Sequence, residues 1–415
     1  MPTEIELLRS LDDEPPAPST VDIDRAIRSG RRRNRRRGLG YAGVAALTAL
    51  AVTGVAVANA RTTKTPARPV ATAKPSVKPK PAYTIPGTPG WSVTAAIAPT
   101  SCTLEHLPVP AKEPMALVSA GDPTGQYLVG RTYPKGGGYQ AVIWHAGTVR
   151  KVMLPGDSEE SLRGVNSSGA AVGWSYTDDG QQLPFAYVNG KVLKLPGVKA
   201  GSAEAINDAG AIAGSDLTAG DPGSHAVVWP SATGQPIRLP VPAGVKASTA
   251  DDIDEDGTTV GNLDLKTPYV WFADGTHHAL TLPTYQGKKA PSARVFSIRN
   301  GVATGVADES ESKDGRDGKL WAVKWNVRTG EATVSDRFDM SSDAINAQGW
   351  EVGIDKKGYA ILYADGRAVP LPMLADHKPG NLTNIANSIS DDGRTIGGQS
   401  DDAKDVIQAV VWHCK

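Results

Sequence analysis

The chain has 415 residues, in which 44 Lys and Arg balance 44 Asp and Glu to give a formal net charge of zero. The basic residues are concentrated before residue 81, so the rest of the chain is acidic on balance, which argues against a nucleic-acid-binding protein. The 45 glycines and 31 prolines suit a fold with many tight turns, and two cysteines suit an oxidising compartment.

The N-terminal 60 residues predict a membrane anchor. Residues 1–37 form a tail that ends in a run with six arginines, Arg31–Arg37. Residues 38–60 are uncharged and mostly apolar, and 23 residues are enough for a transmembrane helix. Cations on one flank mark that side as cytoplasmic, so we interpret the arginines as topology signals that contact anionic lipids, and not as a DNA site. This predicts a single-pass membrane protein with a cytoplasmic N-terminus and an extracellular C-terminal domain.

A cleaved export signal is the alternative for the same stretch. Ala58–Ala60 fits a small-residue cleavage site, and the paired arginines are similar to those of a twin-arginine signal. Both the apolar run and the tail before it are long for an export signal, which favours a retained signal-anchor.

Residues 61–90 predict a linker. Lysine or arginine alternates with proline between Lys64 and Pro81. Such proline-rich sequence is stiff and extended, so it would hold the following domain away from the membrane.

A phrase repeated seven times organises the rest of the chain, and its clearest copy is Ala205–Gly214. Each copy contains two glycines, and the first glycines of successive copies are 41 to 48 residues apart, a period typical of a four-stranded propeller blade. Six glycine pairs are four residues apart, and the first copy is looser. The pairs are Gly125/Gly130, Gly169/Gly173, Gly210/Gly214, Gly257/Gly261, Gly301/Gly305, Gly349/Gly353 and Gly393/Gly397.

Each copy predicts four strands. The first glycine ends a hairpin turn that needs positive φ, and the second indicates close backbone packing near the propeller axis. A third strand carries Ala-x-x-Trp, as in Ala226–Trp229, and a Leu-Pro pair such as Leu239–Pro240 marks the outer exit of the blade. We therefore predict an all-β, seven-bladed β-propeller over residues 91–415.

The last copy stops before its Leu-Pro strand, whereas a spare Leu-Pro strand, Cys102–Pro108, precedes the first copy. The simplest interpretation is that this N-terminal strand completes the last blade and closes the ring. Closure would place Cys102 beside Cys414, so we predict a disulfide between them.

The phrase Ala-x-x-Ile-Asn-Asp-x-Gly, followed by Gly and His-Ala-x-x-Trp, resembles the bacterial extracellular HAF-type repeat family over about residues 102–415. The copy at 203–229 matches best, and the copy at 293–340 departs most because it lacks Leu-Pro and carries a polar insertion. The resemblance implies an extracellular β-propeller and implies no particular chemistry.

We expect no cofactor and no metal site, and three aspartates make calcium the one candidate against this expectation. Asp252, Asp254 and Asp256 precede Gly257 in the pattern that begins a calcium-binding loop. The twelfth position of that loop is Leu263 and not Glu, and the other copies have a hairpin turn here, so an acidic turn is the alternative.

No catalytic pattern is present: the chain has no nucleophile elbow, no phosphate-binding loop and no dinucleotide fingerprint. Trp174 and Trp350 lie off the recurring tryptophan position, which makes them candidates for an exposed stacking platform. We therefore expect a binding module, with variable loops that contact a protein, peptide or cell-wall glycan. The alternative is a hydrolase or lyase with acidic or histidine side chains in the propeller channel, and a third hypothesis is signalling through the cytoplasmic tail.

Overall fold

The computed structural model describes residues 83–110, 113–156, 159–177, 179–218, 223–309, 319–377 and 383–415. These residues form strands, turns and loops, so the described part of the chain offers no helix that could cross a membrane. The predicted tail, transmembrane helix and cleavage site, and the linker as far as residue 82, lie outside the described residues.

The described residues form thirty strands, which build seven four-stranded antiparallel sheets and one extra hairpin. The first strand is β1 (Cys102–His106). Blade 1 consists of β2 (Met115–Gly121), β3 (Tyr127–Tyr133), β4 (Gln140–His145) and β5 (Thr148–Lys151). Blade 2 consists of β6 (Glu160–Val165), β7 (Ala171–Tyr176), β8 (Gln182–Val188) and β9 (Lys191–Lys194). Blade 3 consists of β10 (Gly201–Ile206), β11 (Ile212–Asp216), β12 (His225–Trp229) and β13 (Ile237–Arg238).

The remaining strands follow in the same order. Blade 4 consists of β14 (Ser248–Ile253), β15 (Thr259–Leu263), β16 (Thr267–Trp271) and β17 (His277–Ala279), and the extra hairpin of β18 (Thr284–Tyr285) and β19 (Lys288–Lys289) comes next. Blade 5 consists of β20 (Ala293–Arg299), β21 (Val302–Asp308), β22 (Leu320–Asn326) and β23 (Ala332–Ser335). Blade 6 consists of β24 (Phe338–Ile345), β25 (Glu351–Asp355), β26 (Ala360–Ala364) and β27 (Arg367–Pro370). Blade 7 consists of β28 (Asn384–Ile389), β29 (Thr395–Asp401), β30 (Ile407–Cys414) and β1.

The N-terminal strand closes the ring as the sequence predicts. Strand β1 pairs antiparallel with β30 and becomes the outermost strand of blade 7. Cys102 lies directly opposite Cys414 in this register, and the two form a disulfide. The predicted seven-bladed fold, its closure and its disulfide are therefore confirmed.

The repeated glycines have two distinct structural roles. The first glycine of each pair has a positive φ, as in Gly210 at 81°, and ends the turn between the first two strands of its blade. We call the side of the propeller with these turns the turn face, and the opposite side, where the second and third strands are connected, the loop face.

The second glycine lies opposite a β-bulge in the innermost strand, which shifts register in all seven blades. A Cβ on Gly214 would lie 2.1 Å from the carbonyl oxygen of Ser202, so only glycine fits there. In blade 7 the residue opposite the bulge is Gly398 and not Gly397, which corrects the pairing expected from sequence. The last copy therefore has the five-residue spacing of the first.

Recurring tryptophans on the third strands lock neighbouring blades together. Each indole N–H donates a hydrogen bond to a backbone carbonyl at the outer exit of the preceding blade, which explains why Trp and Leu-Pro recur together. Tyr187 and Tyr363 take this position in blades 2 and 6. The donor and acceptor pairs are Trp144 to Pro108 (2.7 Å), Trp229 to Pro196 (2.9 Å), Trp271 to Pro240 (2.7 Å), Trp325 to Thr281 (2.8 Å) and Trp412 to Pro372 (2.8 Å).

Residues 83–100 form an extended segment on the turn face, which we call the strap. Ile85 is 3% exposed and packs in the core between blades 3 and 4, and Ala96 and Ala98 pack against blades 6 and 7. We predicted residues 83–90 to belong to the linker. In the structure they pack against the propeller, so the propeller domain begins before residue 91.

Replacing Cys102 and Cys414 together by serine tests the closure. The disulfide closes a loop with a sequence separation of 312 residues. The loop-entropy model then predicts that the double variant loses about 5 kcal/mol of unfolding free energy, an upper value. Guanidinium unfolding would measure the loss, and the variant should no longer respond to a reductant. Equal stability of the two proteins would contradict a structural role for the bridge.

Alanine at a second glycine should be poorly tolerated. We expect Gly214→Ala to cost about 3 kcal/mol, since its methyl group meets a backbone carbonyl and the strand must shift. The matched control is Gly136→Ala, because a Cβ there meets no atom within 4 Å and no positive φ is required. Comparable thermal unfolding of the two variants would show that the bulge does not need glycine.

Candidate functional site

The seven innermost strands surround a central channel with a cavity of about 270 Å³. The bulge places one extra residue of each inner strand at the channel wall, so the wall carries one variable side chain from every blade. These bulge residues, in blade order, are Ser119, Arg163, Glu204, Asp251, Phe296, Asp343 and Asn387.

Acidic side chains dominate this ring. It contains three carboxylates and a single arginine, and that arginine is already paired, because Arg163 Nε lies 3.2 Å from Glu204 Oε2. Asp251 Oδ2 accepts hydrogen bonds from Thr249 Oγ1 and Asn262 Nδ2, both at 2.7 Å. The channel wall is therefore negative where blades 3 and 4 meet.

Burial raises the pKa of Asp251 to about 7, since the carboxylate is removed from bulk water. The negative charge of Glu204 raises the pKa further, and the hydrogen bonds from Thr249 and Asn262 oppose the increase. Asp251 therefore changes charge near neutral pH.

Asp252 is the neighbouring carboxylate, and it joins two blades. Its Oδ1 accepts the N–H of Ile253 and its Oδ2 accepts the N–H of Ile298 in blade 5, each at 2.8 Å. Burial raises its pKa to about 6, although these backbone donors favour the charged form. Both carboxylate oxygens of Asp252 are thus occupied by backbone N–H groups, one in its own strand and one in the inner strand of blade 5.

The remaining aspartates of the calcium candidate point to other partners. Asp254 accepts the N–H of Glu255 and that of Gly301 in blade 5, both at 2.8 Å. Asp256 forms an ion pair with Arg328 at 2.9 Å. Among the residues that the structure describes, no three His, Cys, Asp or Glu side chains are grouped to hold a metal ion.

The recurring asparagines of the repeat phrase link the turns of neighbouring blades. Asn166 Nδ2 donates to the carbonyl of Asn207 at 3.1 Å, and Asn207 Nδ2 donates to that of Asp254 at 3.2 Å. Asn346 Nδ2 donates in the same way to Ser390 at 3.0 Å. The recurring asparagines of the phrase therefore have a structural role, because their side chains join the turns of neighbouring blades.

Arg299 closes the channel at the turn face. Its guanidinium contacts Glu255 of blade 4 at 2.8 Å and Asp391 of blade 7 at 2.6 Å, and its side chain is 11% exposed. Blades 4 and 7 lie on opposite sides of the ring, so the guanidinium must lie near the axis. The ring of Trp91 from the strap covers it at 5.0 Å. Arg299 and Trp91 therefore cover the axis of the ring at the turn face.

Phe296 gives the channel an aromatic wall. It is 40% exposed, and the guanidinium of Arg294 lies 5.8 Å from its ring centre. Sequence reasoning missed Phe296 and the other bulge residues. The sequence does contain a pattern that locates them: each bulge residue lies two positions before the recurring isoleucine position, as Phe296 lies two before Ile298.

The two tryptophan candidates lie apart from this channel wall. Trp350 is 3% exposed and its indole N–H donates to Asp365 at 2.9 Å, so it belongs to the core and offers no face for stacking. Trp174 is partly exposed and meets the ring of Tyr176 edge-on at 5.3 Å.

No protein-family model matches this chain, and no curated protein matches it. Similar solved structures include an oligogalacturonate lyase from Vibrio parahaemolyticus, with 11% identity, a TM-score of 0.47 and coverage of 77% of this chain and 98% of that chain. The β-propeller domain of the Trilobed protease from Pyrococcus furiosus has 11% identity, a TM-score of 0.47 and coverage of 72% and 95%. YCF48 bound to D1 peptide has 9% identity, a TM-score of 0.42 and coverage of 78% and 99%. At these values no activity, ligand or partner is transferred to this chain.

The channel carboxylates predict an unusual pH dependence of stability. The pKa of Asp251 rises from 3.8 to about 7 on folding, so the folded state binds more protons than the unfolded state between about pH 4 and pH 7. The contribution of Asp251 to the unfolding free energy therefore decreases as pH rises through this window. We expect Asp251→Asn to raise the melting temperature at pH 8 by about 2 °C or more, and the difference to shrink towards pH 5.

The control for this experiment is Asp336→Asn, at an aspartate whose side chain is 65% exposed. It should leave the melting temperature within error at both pH values. A melting temperature of Asp251→Asn that stays at or below wild type at pH 8 would refute the assignment.

Proposed function

We propose that this protein is a membrane-anchored extracytoplasmic binding module, with its site in the central channel at the level of the bulge residues and its entrance on the loop face. The ligand is a peptide or protein segment that places a basic side chain among the channel carboxylates. The observation that carries this proposal is the channel wall, which is built from one variable residue per blade.

The charges of the channel favour a cationic ligand. Arg163 and Arg299 are both paired with carboxylates of the protein, whereas the contacts of Asp251 are to a hydroxyl and an amide. Phe296 supplies an aromatic face that attracts a cation or the aliphatic part of a long side chain. Residues 83–415 hold 29 of the 44 basic and 37 of the 44 acidic residues, a formal net charge of −8 that attracts cationic partners.

Apolar side chains on the loop face support a macromolecular partner. Met153 is 65% exposed, Leu265 is 59% exposed and Leu217 is 42% exposed, and all three lie on loop-face connections. Exposed apolar groups on the face from which a partner enters are typical of a protein or peptide interface. This favours a peptide or protein over a cell-wall glycan.

The hydrolase or lyase alternative requires groups that can transfer protons to a substrate. Asp252 uses both carboxylate oxygens for backbone N–H groups, and no histidine lines the described channel. Asp251 has a raised pKa, but its hydrogen-bond partners are a hydroxyl and an amide and not a second acid or base. The contacts therefore support binding.

The anchor and the family enter as parts of the proposal. The apolar stretch 38–60 and the arginines before it support a membrane span with the propeller outside. The disulfide suits that compartment. The repeat phrase supports membership of the HAF-type repeat family.

Calorimetry with two capped tripeptides, Gly-Lys-Gly and Gly-Glu-Gly, tests the binding proposal at pH 8. The lysine peptide should bind at least tenfold more tightly, a difference of about 1.4 kcal/mol. Asp251→Asn should weaken binding of the lysine peptide about tenfold, and Asp336→Asn should leave it unchanged. Equal binding of the two peptides, or no effect of Asp251→Asn, would refute the proposed site.

A further inference from the structure

The strap is fitted to the turn face along its length. The N–H of Ile85 donates to the carbonyl of Ala273 in blade 4 at 3.3 Å. Farther along, Gln348 Nε2 of blade 6 donates to the carbonyl of Thr94 at 2.7 Å. The strap therefore runs from blade 4 to blade 6 and continues into β1, passing over Arg299 on the way.

The fit is closest where the strap meets blade 4. A Cβ on Gly87 would lie 2.4 Å from the backbone carbonyl of Asp256, so the strap backbone touches the turn directly. The N–H of Thr88 donates to the carbonyl of Glu255, and Asn207 Nδ2 donates to the carbonyl of Pro86 at 3.0 Å. These contacts tie the strap to the turns of blades 3 and 4.

Glu255 connects the strap with the channel. Its Oε2 accepts the N–H of Asp208 at 2.8 Å and the hydroxyl of Thr88 at 3.2 Å, and its Oε1 accepts Arg299 at 2.8 Å. Glu255 and Arg299 also line the cavity. One buried carboxylate in the turn of blade 4 therefore contacts the turn of blade 3, the strap and the residue that covers the channel.

We propose that the strap senses the channel, with Glu255 and Arg299 as the pair that couples channel occupancy to docking of residues 83–100. This inference rests on the proposed function, since it assigns a consequence to a cation entering the channel. A cation near Glu255 or Asp391 competes with Arg299 for their carboxylates and repels its guanidinium. Arg299 then loses the position in which Trp91 stacks on it, and the strap loosens. Because coupling is reciprocal, a loosened strap also strengthens binding of the cation.

The consequence is a connection from the channel site to the N-terminal part of the chain. The strap is continuous with the residues before Tyr83, which the sequence predicts to lead to the membrane span. A change in strap docking would therefore change how the predicted linker is attached to the propeller.

Hydrogen–deuterium exchange of full-length protein in detergent micelles tests the coupling without a ligand. Arg299→Gln should accelerate exchange of the strap amides, which include Ile85 and Thr88, at least tenfold. The control is Arg337→Gln, which removes an exposed ion pair with Asp336 on the loop-face connection between β23 and β24 and should leave strap exchange unchanged. Strap exchange that is the same in both variants overturns the inference.

A second variant covers the case in which Arg299→Gln does not fold. Trp91→Ala changes only the strap, yet it should accelerate exchange at Ile298 and Gly301, whose amides are held by aspartates beside Arg299. Faster exchange confined to the strap would overturn the coupling.

The ligand experiment separates the two proposals. Saturating Gly-Lys-Gly should accelerate strap exchange in the wild type, and Trp91→Ala should bind that peptide more tightly. Peptide binding without a change in strap exchange overturns the coupling and leaves the binding site standing. Absence of peptide binding refutes the proposed function, and the two variants then decide on the Arg299–strap coupling by themselves.

Discussion

Ring closure is the constraint on which the rest of the structure depends. A propeller blade buries its faces only against neighbours, so an open ring would leave two blades half exposed. Here the N-terminal strand β1 pairs with β30 inside blade 7, and the disulfide between Cys102 and Cys414 fixes the join. The same closure draws the preceding strap across the turn face, because the strap leads directly into β1. Closure of the ring and closure of the channel at one end are therefore parts of a single arrangement.

The repeat uses its regular residues for structure and leaves the bulge residue free to vary. Glycines such as Gly214 make room for the bulge, tryptophans such as Trp229 tie each blade to the one before, and asparagines such as Asn207 join the turns. The bulge residues differ from blade to blade, so the channel wall is lined by six residue types, although two of the contacts between blades also run through them, Arg163 with Glu204 and Asn387 with Val118. The positions at which the repeat is least regular therefore lie on the channel wall.

The fold could be predicted from the sequence because its signals are local and repeated. The seven copies of the repeat give the number of blades, and their period indicates four strands in each blade. The spare strand that begins at Cys102 predicts the closure. The candidate site could not be predicted in the same way. Arg299 meets Glu255 and Asp391 only after the ring has brought blades 4, 5 and 7 together, and residues 44 and 92 positions apart in the chain give no local signal. Trp350 shows the converse, since a tryptophan outside the recurring position is still a core residue.

Peptide mapping of the unreduced protein by mass spectrometry tests the central claim most directly. We expect one linked peptide pair that contains Cys102 and Cys414, and this pair should disappear when the protein is reduced. In the membrane fraction of cells, the same digest should also contain peptides from residues 1–37. Free thiols at both cysteines in the native protein would contradict the closure, and with it the position of the strap and the one-ended channel.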